Sequence, residues 1–160
     1  MTLTHLGFDG RARTEELVVN AAVAEDVVGV FERLYAERFP IQRMLLIDEY
    51  RGDDDASMAA NNTSAFSCRP VAGSDRWSDH AYGQAVDINP VQNPYVVGTD
   101  VRPLAAAAFL SADRGAAATP APGVIRDGDV VRTTFERIDW EWGGLYADPD
   151  DQHFSLPAAS

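Results

Sequence analysis

The sequence predicts a small mixed domain of helices and short strands, and three observations carry that expectation. Apolar residues recur at helical spacing after Asn20, whereas apolar runs elsewhere are too short for helices and are bounded by polar residues. The length of 160 residues suits one domain around a single core. A hydrophobic fraction of 46% with 24% charged residues belongs to an ordinary globular chain.

The elements follow in order. The opening stretch MTLTHLGFDGRARTEE has neither the basic flank nor the apolar run of a secretory signal, which leaves a cytosolic chain, a removed signal or another export route. Asn20 opens a helix whose inner face is Val23, Val27, Val30, Phe31, Leu34 and Tyr35. Glu25, Asp26, Glu32, Arg33 and Glu37 face away, and Pro40 closes the helix. Residues 44–47, Met-Leu-Leu-Ile, read as a buried strand. Residues 50–64 read as a long polar loop carrying Asp53-Asp54-Asp55 and Asn61-Asn62, and so long a loop in a compact domain is often functional. Residues 66–69 and 84–89 read as two further strands, the latter ended by Pro90. Residues 93–123, rich in proline and alanine, form an irregular excursion with one short helix near 104–110. Asp129 caps a second helix over residues 130–137, and Asp139-Trp140-Glu141-Trp142-Gly143-Gly144 is too aromatic to be a solvent loop. The tail, residues 156–160, is expected to fray. No repeat or linker divides the chain, so residues 1–160 are expected to form a single domain.

Charge narrows the partners. Against 25 acidic residues stand 13 basic ones, all arginine, for a net charge of −12. Such a surface repels polyphosphate and argues against a nucleic-acid partner, although net acidity of this kind commonly serves solubility alone. No apolar run is long enough to cross a membrane. The single cysteine, Cys68, excludes an internal disulfide and a multi-cysteine zinc knuckle. The oligomeric state leaves no signature.

The informative stretch is SDHAYGQAVDINP, residues 78–90. Alternation puts Ala85, Asp87 and Asn89 on one face of the predicted strand and Val86 and Ile88 on the other. An ionised carboxylate on a buried strand costs several kcal/mol, at least ~3, unless a cation or several donors compensate it. Of the three histidines, His5, His80 and His153, two stand in suggestive places. His80 precedes Asp87 by seven residues with Gly83 between, and His153 follows the carboxylate-rich turn Asp148-Pro149-Asp150-Asp151-Gln152. Two imidazoles and a carboxylate suit zinc and leave a fourth position open. The proton acceptor such a site needs could be Asp150, Asp148, Asp151 or Glu141, and spacing does not choose among them. Arg69 offers a planar fork of donors for an oxyanion or a substrate carboxylate.

At these residues the sequence resembles the D-alanyl-D-alanine carboxypeptidase family of zinc peptidases, which includes vancomycin-resistance dipeptidases and phage L-alanyl-D-glutamate endolysins. The shared pattern SxHxxGxAxD reads here Ser78-Asp79-His80-Ala81-Tyr82-Gly83-Gln84-Ala85-Val86-Asp87, and an acid, two spacers and His reads Asp150-Asp151-Gln152-His153. The stretches FDG, FPIQRM, SMAANNTSAFSCR, DINPVQNPY and WEWGG look like a bacterial branch of the family. Asp139 stands where glycine is expected before the Trp-x-Trp-Gly-Gly segment, and Ser155 where the family often has glutamate.

The resemblance implies an α+β fold, a small antiparallel sheet with helices packed on it, of the hedgehog/DD-peptidase type. It implies one zinc ion per chain on His80, Asp87 and His153, Asp150 as base, Arg69 against the scissile carbonyl or the intermediate, and Ser78 at the substrate. The expected reaction is hydrolysis of a peptidoglycan stem peptide or D-amino-acid peptide, with Asn61, Asn62 and Ser64 expected to meet its polar backbone. Such an enzyme acts outside the cytoplasmic membrane or at the cell wall. Three other readings compete: a non-catalytic zinc-containing cell-wall-binding module, a metal-free triad of Ser78, a histidine and Asp87, and an interaction protein using its acidic face.

Overall fold

The computed structural model describes residues 1–71 and 73–157. It opens with a hairpin, β1 (Thr2–Leu6) and β2 (Ala12–Glu16), paired so that Thr2 faces Glu16 and Leu6 faces Ala12. No strand is expected here from the sequence. The hairpin's signals were the alternation Thr-Leu-Thr-His-Leu, which turns Leu3 and His5 inward, and Gly10, whose φ of +74° suits the turn.

Asn20 does open the first long helix, through a short 3-10 turn, by accepting the Ala22 N–H on its side-chain oxygen. The helix proper, α1, spans Ala24–Ala36, with Glu25 and Asp26 favourably placed at its positive end. Val27, Val30, Phe31 and Leu34 are buried against β1, but Tyr35, expected inside, is 41% exposed.

The predicted strand at 44–47 is absent. Met44 is buried, yet the peptide of Leu45 is bonded by a side chain: Asn62 Oδ1 accepts its N–H at 2.8 Å, and Asn62 Nδ2 donates to its carbonyl at 2.9 Å. An amide standing in for a neighbouring strand removes the need for a ladder. Residues 66–69 are likewise irregular, with the N–H of Phe66 bonded to Val18 O and that of Ser67 to His80 O. The expected loop at 50–64 contains a short helix, α2 (Asp54–Ala59), whose N-cap Asp53 accepts the Ala56 N–H. The excursion holds a hairpin, β4 (Tyr95–Val97) with β5 (Asp100–Arg102), and a 3-10 helix, Leu104–Phe109, where a short helix was expected.

The site rests on a three-stranded antiparallel sheet of β3 (Ala85–Asp87), β6 (Glu141–Trp142) and β7 (His153–Ser155), with β7 in the centre. Strand β3 is shorter than predicted, because Asn89 turns to a φ of +46° and uses its amide to bind Gln42 N and Pro40 O. Helix α3 (Val130–Glu136), capped by Asp129, packs on the sheet, and Phe135 stacks on Phe154 at 4.2 Å between ring centroids. Trp140 and Trp142 are buried, as their composition predicted. The tail does not fray at its start, since Leu156 donates to Gln84 O and packs against the core; residues 158–160 lie outside the described residues. The arrangement is a small α+β one, with short antiparallel sheets and a few helices.

Candidate metal centre

Strand register brings the predicted ligands together. In β3 and β7, Val86 faces Phe154 and Asp87 faces His153. Both backbone groups of Asp87 are bonded to Ser64 on the opposite edge, at 2.8 and 3.0 Å. The Asp87 and His153 pair is therefore of the non-hydrogen-bonded kind, in which side chains approach most closely. Asp87 Oδ1 lies 3.0 Å from His153 Nδ1.

His80 arrives by a different route. It sits in a 3-10 turn, Asp79–Tyr82, opened by Ser78, whose Oγ accepts the His80 N–H at 3.3 Å. Gly83 ends the turn at a φ of +64°, and a Cβ there would lie 2.6 Å from Asn20 N, so this position requires glycine. The reversal aims His80 Nε2 at Asp87 Oδ2, 3.1 Å away, and at His153 Nδ1, 3.2 Å away. His80 Nδ1 bonds the Ala65 carbonyl, which makes Nδ1 the donor, so that in the neutral ring the Nε2 lone pair faces the cluster.

The three ligand atoms lie within 4.8 Å of one another, and His80 and Asp87 are 2% and 4% exposed. Donors about 2.1 Å from a tetrahedral zinc lie about 3.4 Å from one another; His80 Nε2 and His153 Nδ1 are 3.2 Å apart and each has a different Asp87 oxygen at 3.1 or 3.0 Å, so the set fits such an ion after a slight opening. Electrostatics agree. Burial pushes the Asp87 carboxyl up, but the His80 charge and hydrogen bonds from both imidazoles outweigh it and hold the group far below the usual carboxylate range. Burial pushes His80 down, and Asp87 more than reverses that. In the metal-free protein a protonated imidazole supplies the positive charge that the buried Asp87 carboxylate requires, and a bound cation would take that place.

A cleft of about 490 Å³ opens beside these residues. Ser78, Arg69 and Asp150 line it. Asp150 Oδ1 is wholly buried without a hydrogen-bond partner, and the carboxyl is pushed up to about 7, by burial first and by the Asp87 charge second. The competing carboxylates separate on geometry. Asp151 is turned away into an ion pair with Arg114 at 2.8 Å, while Asp148 and Glu141 reach the cleft from exposed positions. Gly143 makes room for the turn before β7, since a Cβ on it would meet Asp150 O at 2.8 Å and His153 Cβ at 3.1 Å.

The expected substrate contacts at Asn61, Asn62 and Ser64 do not reach the cleft. Asn62 is consumed by Leu45 and Ser57, Asn61 bonds Val91 N and Gln92, and Ser64 pairs with the Asp87 backbone. Polar residues in the predicted loop were internal hydrogen-bonding groups, a distinction that composition does not make. Conversely, the cleft holds residues that no sequence pattern marks: Asp54, whose Oδ2 lies 2.9 Å from Arg69 Nε, and Tyr95 and Tyr146 in the wall. Asp54 stood in a run of three aspartates with nothing to separate it from its neighbours. A metal-free triad loses its basis, because the only hydrogen bond of Ser78 Oγ among the described residues is to a backbone N–H and not to an imidazole.

Chemistry of this kind, a cation pocket beside a proton-holding acid and a guanidinium, is that of a metal-dependent hydrolase. A family model described as D-alanyl-D-alanine carboxypeptidase matches residues 72–156, more than half of the chain. The chain belongs to that family of zinc peptidases. The matched span includes Ser78, His80, Asp87, Asp150 and His153, and it begins just after Arg69. Neither a curated protein nor a solved structure matches the chain.

Proposed function

We propose that the protein is a zinc peptidase that hydrolyses peptidoglycan stem peptides or related D-amino-acid peptides, with His80, Asp87 and His153 as the zinc ligands. The observation that carries this reading is the register of β3 and β7, which sets Asp87 and His153 side by side under His80 at the floor of one cleft. Zinc bound there supplies Lewis acidity, polarising a carbonyl and lowering the pKa of water towards about 7.

The chain's own groups carry the rest. Asp150 takes a proton from the attacking water and returns it to the leaving amine, two transfers that its place in the cleft allows. Arg69 directs its guanidinium at the oxygen on which negative charge develops. Ser78, at the cleft wall, meets the substrate chain. Residues 1–160 act as one domain of the hedgehog/DD-peptidase type. Peptidoglycan lies outside the cytoplasmic membrane, so the site of action is extracytoplasmic, and no described helix is long and apolar enough to cross a membrane.

The test is elemental analysis of the purified protein and of His80→Ala, together with hydrolysis of a stem peptide ending in D-alanyl-D-alanine. About one zinc per chain, absent from the variant, with activity abolished by chelation and restored by zinc, is expected. A folded protein that takes up no metal refutes the proposal. Zinc without hydrolysis of any stem peptide supports the wall-binding module instead.

A further inference from the structure

Arg69 approaches the cleft from an irregular segment, and nothing in its own backbone fixes where its guanidinium points. An arginine side chain carries about 2 kcal/mol of rotamer freedom. Its surroundings make that freedom costly, because Asp87, Asp150, Asp148 and Glu141 all line the same cleft and each would attract a loose guanidinium. What meets Arg69 is Asp54, the first residue of α2, with Oδ2 2.9 Å from Nε. Both side chains are largely buried and both line the cleft. The contact is an ion pair at close range, with the buried Nε lacking hydrogen-bond geometry to any acceptor, so charge and proximity tie the guanidinium to Asp54.

Building on the peptidase reading above, we propose that Asp54 is the positioning residue for Arg69. Its carboxylate holds the guanidinium at the cleft wall by ion pairing, where it can meet the substrate carbonyl, and keeps Arg69 from collapsing onto Asp87 or Asp150. The helix α2 is thereby part of the site. It is the element that carries the carboxylate to Arg69 across fifteen residues of sequence.

The test uses the zinc-loaded protein, Asp54→Asn, Arg69→Ala and the double variant, with Asp55→Asn as a charge control, since Asp55 is 77% exposed and makes only a 4.0 Å contact with Arg102. Asp54→Asn is expected to lower kcat about 10- to 100-fold, the range for lost supporting contacts, with KM within about twofold. Zinc content and melting temperature should match the parent, and Asp55→Asn should change neither kinetic constant. In the Arg69→Ala background the Asp54 substitution should cost almost nothing more, because its effect runs through Arg69. Equal losses in both backgrounds overturn the proposal. Nitrogen-15 NMR of the Arg69 guanidinium provides a reading independent of turnover: a side-chain signal ordered by the ion pair in the parent should shift and become mobile in Asp54→Asn. An unchanged signal overturns the proposal even if the enzyme is active. If no stem peptide is cleaved by the parent, the peptidase reading fails while this signal still decides whether Asp54 holds Arg69.

Discussion

Replacing Asp150 by asparagine should stabilise the metal-free protein, and the effect should grow with pH. The carboxyl is pushed from 3.8 to about 7, first by burial and then by the negative charge of Asp87. A carboxyl whose pKa is higher folded than unfolded is a proton binder in the native state. Its contribution is full below about pH 3.8 and is lost progressively as pH rises through about 7. At about 1.4 kcal/mol for each pH unit between those values, the loss approaches about 4 kcal/mol, of which about 2 to 3 kcal/mol falls between pH 5 and 8. Asparagine keeps the shape without the charge, and burying its amide returns about 1 to 3 kcal/mol. The quantity to measure is therefore the change with pH in the difference between parent and variant, by urea denaturation after chelation. The variant should gain about 2 kcal/mol or more on the parent from pH 5 to pH 8, and added zinc should shrink that gain by offsetting the negative charge. A difference that stays flat with pH refutes the claim that a buried charge at Asp150 destabilises the fold. The same variant should hydrolyse no stem peptide, a trade of activity for stability typical of active sites.

Three further outcomes follow from local geometry. Gly143→Ala should weaken zinc affinity about 10- to 100-fold, measured by competition with a chelator, because the added Cβ would press on Asp150 O and His153 Cβ. Asn62→Ala should lower unfolding free energy by at least about 2 kcal/mol, since it strips Leu45 of both backbone partners, while KM stays within about twofold; a selective rise in KM would restore Asn62 to the substrate site. Asp139→Gly should raise the melting temperature by relieving about 1 kcal/mol at a φ of +59°, the left-handed conformation that glycine adopts freely.

That last residue shows how closely sequence and structure correspond in places. Glycine was expected at position 139, and the backbone there is left-handed although aspartate occupies it. Helices α1 and α3 were legible from spacing and from the caps Asn20 and Asp129, because those signals lie within a few turns of chain. The β1 and β2 hairpin carries a period of two in Thr-Leu-Thr-His-Leu, short enough to be masked by its polar neighbours. The strand at 44–47 was misread for a sound reason: apolar content reports burial, whereas a ladder depends on what the backbone meets, and here it meets Asn62.

By itself the sequence determined the chemistry available to the site: His80, Gly83 and Asp87 at turn-and-strand spacing, an acid and a histidine near the end of the chain, and the two main helices. These depend on residue type and on contacts between near neighbours. Only the tertiary structure decided which groups meet. The antiparallel register chose His153 to stand against Asp87, Arg114 took Asp151 out of the cleft and left Asp150 lining it, and α2 carried Asp54 to Arg69. Such pairings join residues far apart in the chain, and they are settled by the packing of the whole core, which no local pattern encodes.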